Sequence, residues 1–266
     1  MSEPGASPAL AAHPVGQAGG HGPVVVFVHG IEDGWPSWRR LAGYLDPDYR
    51  CVALDMPWRA GNDYRWRAQG SPGGWLARAL RDLDQPADVL VGHSFGAGAL
   101  LELLAAGVTA RAATLIAPAF RPPDLEVTWR VFDRSRSAYE IQIRQGLELS
   151  LGPRAPSLDP GLRAAITDKA FDRIGPASFL AVFEQFAASG DLALGAVTVP
   201  TLVLSGCRDA SLSPSGARAL AERMPGATVT RAEDFDHFCH LRRAADVAAR
   251  LAGFIGAACP PEGRTP

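Results

Sequence analysis

The stretch Val89-Leu90-Val91-Gly92-His93-Ser94-Phe95-Gly96-Ala97-Gly98 decides how the rest of the chain is read. An apolar run of strand type ends in Gly-His-Ser-Phe-Gly, and a run rich in Ala and Leu follows at once. The pattern Gly-x-Ser-x-Gly in that setting predicts a strand, a sharp turn and a helix, with a serine at the apex. Its logic is steric. The serine takes a strained backbone conformation that projects its hydroxyl from the turn. Strand and helix then approach so closely that only glycine fits at Gly92 and Gly96. The five residues alone are a weak signal, and the flanking strand and helix supply the context they need.

Working outward, the chain alternates strands with helices. Val24–Val28 is a continuous β-branched run of the kind expected for a strand buried on both faces. Further strands are expected over Arg50–Leu54, Ala87–Gly92, Ala112–Ala117, Pro200–Gly206 and Ala227–Arg231, with helices over Trp38–Leu45, Gly74–Leu83, Phe95–Ala106, Pro214–Met224 and Leu241–Ile255. Six parallel strands interleaved with helices predict an α/β fold with a doubly wound, mostly parallel sheet. The rhythm breaks between residues 121 and 197, where helical stretches are interrupted by Pro153, Pro156, Pro160 and Pro176. Phe179, Val182, Phe183 and Phe186 recur there at helical spacing, a stripe suited to helix packing. This block is read as a helical lid inserted into a core formed by residues 23–120 and 198–258. Residues 1–22 and 259–266 are read as flexible tails.

Composition limits the partners. At 266 residues with 47% hydrophobic content, the chain can bury a large core. Lys+Arg 26 against Asp+Glu 28 gives a net charge of −2, so no basic surface points to nucleic acid or an anionic membrane. No run of about 18 apolar residues is present to cross a bilayer. The N-terminus has neither the charged region nor the apolar core of a signal peptide. Cys51, Cys207, Cys239 and Cys259 are widely spaced, which argues for reduced thiols and a cytoplasmic protein. Cys51 falls in an expected strand, as a small buried hydrophobe would. No metal site is read, because Cys239 beside His240 lacks a second close ligand pair. The expected partner is a small-molecule substrate, acting on a monomer or homodimer without a cofactor.

A serine hydroxyl needs a general base within hydrogen-bond reach. Of six histidines, His13 and His21 lie in the expected tail, His29 ends the first parallel strand, and His93 precedes the serine and should point away from it. His237, in the loop after the last strand, is the preferred base, because an open α/β sheet gathers its site at the carboxyl ends of its strands. His240, at the start of the final helix, is the alternative. The base needs a carboxylate partner, and Asp209, after Gly206-Cys207-Arg208, emerges at the same sheet edge. Asp124, Asp234 and Asp236 remain alternatives. The oxyanion of a tetrahedral intermediate needs two donors. The Phe95 amide directly after the serine is one, and the Ile31 amide after His29-Gly30 is the second.

Here the chain resembles the α/β-hydrolase superfamily, over about Val24 to Ala257. The resemblance is carried by His29-Gly30, Asp55-Met56-Pro57, Gly92-His93-Ser94-Phe95-Gly96, Gly206-Cys207-Arg208-Asp209 and His237-Phe238-Cys239-His240-Leu241. It implies Ser94 as nucleophile, His237 as base, Asp209 as its acid partner, and Ile31 with Phe95 as the oxyanion hole, in the chain order of that superfamily. It also implies an esterase- or thioesterase-like serine hydrolase. The superfamily's dehalogenases and epoxide hydrolases look for aspartate where this chain has Ser94. Asp236 stands where members usually have glycine before the histidine, and Pro57-Trp58-Arg59-Ala60-Gly61 replaces a usual Pro-Gly-x-Gly.

The run Trp58-Arg59-Ala60-Gly61-Asn62-Asp63-Tyr64-Arg65-Trp66-Arg67 packs three aromatics and three arginines into ten residues. It reads either as a substrate wall, with Trp58, Tyr64 and Trp66 as contacts and Trp35 beside them, or as a surface loop whose aromatics pack on the helical block. Non-hydrolytic chemistry on the same shell (C–C cleavage, elimination, cyclisation) is the alternative function. A ligand receptor is a third reading.

Overall fold

The first parallel strand, β2 (Val24–Val28), is third in a seven-stranded sheet that runs, in order, through residues 11–14, 50–55, 24–28, 89–93, 112–116, 201–206 and 227–232. The structure is a computed structural model and describes residues 10–17 and 20–260. β3 (Arg50–Asp55), β4 (Val89–His93), β5 (Ala112–Ile116), β6 (Thr201–Gly206) and β7 (Ala227–Ala232) run parallel to β2, each close to its expected bounds. Val28 pairs with Leu54 on one side and Gly92 on the other. Sequence order thus reverses around β2, and the loops leaving β2 and β4 face one another at that switch point. A doubly wound sheet places its ligand crevice there.

Alternate β2 residues serve opposite layers. Val24, Val26 and Val28 face a cluster with helices α2 (Pro72–Arg81), α3 (Phe95–Ala105) and α7 (Pro214–Arg223). Val25 and Phe27 face the other cluster, with Trp38, the short α1 (Arg39–Ala42) and the closing helix α9 (Ala244–Ala258). On α9, Val247, Leu251 and Ile255 recur at helical spacing and are fully buried. Burial of one such side chain is worth about 1.5–3 kcal/mol. The final helix comes in two pieces, since α8 (Cys239–Arg242) ends at Arg243 before α9 begins.

The ends of the chain are more ordered than expected. Ala11–Pro14 forms β1, an edge strand antiparallel to β3, in a segment read as flexible tail. Its sequence, Ala-Ala-His-Pro, carries no strand signal, and the open edge of β3 supplies its partners. Val15 is buried beyond it and donates to the Cys51 carbonyl. At the other end, Cys259 is buried against the α9 layer and is not part of a tail. The remaining tail residues, 1–9, 18–19 and 261–266, lie outside the described residues. Cys51, Cys239 and Cys259 are buried free thiols, and Cys207 is exposed.

The block between β5 and β6 is helical, as expected. It comprises α4 (Trp129–Ser150), α5 (Pro160–Ile174) and α6 (Pro176–Ser189). Pro160 and Pro176 open helices rather than interrupt them, because the first helical position needs no amide hydrogen. Phe179 and Phe183 pack edge-on against Phe132 of α4, with ring centroids 5.0 and 4.9 Å away, so the apolar stripe joins helix to helix. Among the described residues, no helix is long and apolar enough to cross a membrane.

Candidate active site

Ser94 sits between β4 and α3 with φ 52° and ψ −117°, a positive φ that an L-residue takes only where the surroundings enforce it. The enforcement is visible on both sides. A Cβ on Gly92 would lie 2.7 Å from the Gly96 carbonyl oxygen. One on Gly96 would lie 2.5 Å from the carbonyl oxygens of Val28 and His29. The serine amide donates to the Ile116 carbonyl at 2.9 Å, which pins the turn to β5.

His237 leaves the loop after β7 with Nε2 3.0 Å from Ser94 Oγ and Nδ1 3.2 Å from Asp209 Oδ1. Asp209 follows β6, and both side chains are buried. Burial alone would raise the Asp209 carboxyl. The adjoining His237 ring, together with the Ser211 amide and hydroxyl, more than offsets this and holds it below the usual carboxylate range. The other carboxylates point elsewhere. Asp236 accepts from the Phe238 amide and pairs with Arg242 at 3.2 Å, Asp234 pairs with Arg243, and Asp124 is exposed. The Asp236 that departs from the family pattern is therefore turned away from the imidazole.

His93 does point away from Ser94. Its Nε2 donates to the His237 carbonyl at 2.9 Å, and its ring lies against that of His240 at 3.9 Å. His240 is wedged between His93 and Trp38, with no hydrogen bond to Ser94. Asp33 brings a carboxylate within 4.8 Å of the two imidazoles. The two rings are tilted at 37° to one another.

Burial holds both histidines well below the usual histidine value, His240 at about 3, so both are neutral in the fold. Unfolding frees them to protonate, so below about pH 6.5 the unfolded state binds more protons than the folded state. Stability should then fall with pH by about 1.4 kcal/mol per unit for each of them. We expect the urea midpoint to drop clearly between pH 7 and pH 5; an unchanged midpoint would contradict this account.

Ile31 lies in the loop after β2, and Phe95 directly follows the serine. Ile31 and Phe95 are both buried, and among the described residues neither amide hydrogen is taken by another group. The turn beyond Ile31 is held by Glu32, itself at φ 54°. The Glu32 carboxylate accepts from Tyr64 Oη, from Asn62 Nδ2 at 3.1 Å and from the Gly61 amide at 3.2 Å. Burial pushes the Glu32 carboxyl above its usual range. His29 completes the brace, since its Nε2 accepts from the Met56 amide at 3.0 Å. Nothing in the local sequence around Glu32 signals this tie, because its partners lie about thirty residues away.

The aromatic loop needs correction. Trp58 is fully buried, donates Nε1 to the His29 carbonyl at 3.0 Å, and packs edge-on against Phe95 at 5.2 Å. It is core and not a substrate wall. The β3 exit turns inward here because His29 and Phe95 offer a polar acceptor and an apolar face together. Trp66 is likewise buried, with its Nε1 on Asn62 Oδ1, and Tyr64 is half-buried and committed to Glu32. The loop aromatics thus pack mainly on the core, while Arg67 reaches Glu184 of α6.

Trp35, by contrast, lines a groove of about 570 Å³ between the loop after β2 and helix α4. Its inner wall includes Ile31 and Phe238, and Ile143, Leu147 and Leu241 make it largely apolar. A second cavity, of about 480 Å³, lies where Phe95 and Trp66 meet α6. Trp66 touches that cavity and not the groove.

Comparison with known proteins supports the fold these elements define. Residues 25–250 match the family model described as the alpha/beta hydrolase family, and the chain belongs to that family. Similar solved structures include a membrane phospholipase A described as a bacterial virulence factor, at 20% identity over 94% of this chain and 87% of that one, with a TM-score of 0.69. A haloalkane dehalogenase from Bradyrhizobium elkani is 20% identical over 94% of each chain, with a TM-score of 0.64. A laboratory-evolved potato epoxide hydrolase is 17% identical over 93% of this chain and 96% of that one, with a TM-score of 0.66. No curated protein matches the chain in sequence. At these identities the neighbours show the fold alone, and they span three chemistries.

Proposed function

We propose that the chain is a serine hydrolase that cleaves a carboxylic ester or thioester of a small organic molecule. The observation that carries this reading is the 3.0 Å contact between Ser94 Oγ, on a strained turn, and His237 Nε2, whose other nitrogen faces Asp209. A serine hydroxyl is weak at neutral pH, and a neutral imidazole at this distance is placed to take its proton. Ser94 Oγ then bonds to the substrate carbonyl carbon, and its proton passes to His237. Asp209 stabilises the imidazolium, while the Ile31 and Phe95 amides receive the developing oxyanion. Collapse expels the alcohol or thiol with the proton from His237. Water, deprotonated by the same histidine, releases the acid and restores the serine. The cycle as written draws on no cofactor.

Serine at the apex separates this reading from dehalogenation and epoxide opening, for which the family pattern has aspartate. The groove beside Ile31 and Phe238 is the proposed substrate site, and α4 is its proposed lid. A fluorophosphonate probe should label the protein, with the adduct mapping to Ser94 by mass spectrometry. p-Nitrophenyl esters and acyl thioesters of graded length should then reveal which class is turned over. No adduct, or an adduct only on another residue, would remove the assignment.

A further inference from the structure

Helix α4 does more than roof the groove. Gln142, at its centre, donates from Nε2 to Asp209 Oδ1 at 3.2 Å and to Ser211 Oγ at 2.8 Å. Ser211 is itself tied to the same centre, with Oγ 3.1 Å from His237 Nδ1 and its amide 2.9 Å from Asp209 Oδ1. The orientation of the Gln142 amide follows from chemistry. Turned over, it would set its carbonyl oxygen against a carboxylate, so the nitrogen must face Asp209. Two residues along the same helix, Arg144 spends its charge on Glu140 and Asp168, away from the site.

We infer that Gln142 is a positioning residue, through which the helical block holds Asp209 and Ser211 in line with His237. The inference rests on the serine-hydrolase reading of the same site. A carboxylate that orients an imidazole needs its own lone pairs fixed, or the ring is free to tilt. Two of the Asp209 Oδ1 contacts, from the Ser211 amide and His237, arise in the core, and Gln142 supplies one from the inserted block. Alignment of the candidate base therefore depends on α4 lying where it does, and a displacement of α4 that opens the groove also breaks this bond. Closure over a substrate and completion of the acid–base pair become one event. The other titratable neighbours are His93, whose ring centre is 5.0 Å from that of His237, the buried His240, which His237 also influences, and the buried thiol of Cys239 near Asp209.

The test uses the full chain with p-nitrophenyl butyrate and a fluorophosphonate probe. Gln142→Leu, close in volume, should lower kcat about tenfold, the size expected for one hydrogen bond to a charged group, with KM within about twofold. Gln142→Glu, isosteric and able to keep the helix in place, sets a second carboxylate beside Asp209 and favours the imidazolium. The acidic limb of kcat/KM should therefore move up by about one pH unit. Arg144→Gln, on the same helix, should leave kcat and the pH profile unchanged. A merely structural role for α4 would move Arg144→Gln and Gln142→Leu alike and leave the pH profile in place, and that result overturns the inference. So does a wild-type rate and profile in both Gln142 variants. If the wild-type protein forms no adduct at Ser94, the hydrolase reading falls first and carries this one with it.

Discussion

Replacement of His237 by alanine is expected to lower kcat for ester hydrolysis by about 10⁴-fold or more, with KM little changed. The imidazole is the only base within reach of Ser94 Oγ among the described residues, and it serves both proton transfers in the proposed cycle. A residual rate should survive, because the proposed oxyanion donors and groove would still bind the substrate. His240→Ala is the informative comparison. That ring lies buried between His93 and Trp38 and does not touch the serine, so its loss should cost stability and leave kcat within about tenfold of wild type. Steady-state rates on p-nitrophenyl butyrate, normalised to folded protein by circular dichroism, decide between them. Should His240→Ala prove the dead variant and His237→Ala the active one, the two roles exchange.

The second large effect falls on the backbone. In Gly96→Ala, the new methyl would lie 2.5 Å from the carbonyl oxygens of Val28 and His29. Neither oxygen can retreat cheaply. Val28 is paired on both sides, with Leu54 and Gly92, and the His29 carbonyl holds the indole nitrogen of Trp58. Either the elbow or the centre of the sheet must move, at a cost of about 3 kcal/mol. For a domain of this size that corresponds to a fall in Tm of roughly 6–12 °C. Gly253→Ala is the counterpart. That position lies in helix α9 with nothing within 4 Å of an added Cβ, so alanine should be neutral or stabilising there. Differential scanning calorimetry on both variants tests the pair, and a Gly96→Ala melting point within about 2 °C of wild type would refute the steric account.

These two expectations draw on different parts of the sequence. The elbow was legible because its requirements are local. A strand, two close-approach glycines and a serine at positive φ lie within ten residues, and each leaves a compositional mark. The parallel strands were legible for a related reason, since burial on both faces demands unbroken β-branched runs such as Val24–Val28. Asp209 and His237 were legible through the strand ends that precede them, because a doubly wound sheet gathers those ends along one edge.

What the chain pattern missed depends on contacts between distant segments. Ala11–Pro14 is a strand only because β3 leaves an edge open. Trp58 read either as a substrate wall or as packing, and a bonded carbonyl on His29 and the face of Phe95 decided for the core. Glu32 and Gln142 carry no local signal at all. The first ties two loops together through Tyr64 and Asn62, and the second reaches Asp209 from helix α4.

By itself, then, the sequence determined the parallel strands, the elbow and the chain order of the serine, carboxylate and histidine, since each is imposed by short-range sterics or by strand periodicity. The tertiary structure alone decided which aromatics face the groove, how Glu32 ties two loops together, and that α4 touches the acid. A side chain's partner is set by where two distant backbones cross, and neither segment encodes that crossing on its own.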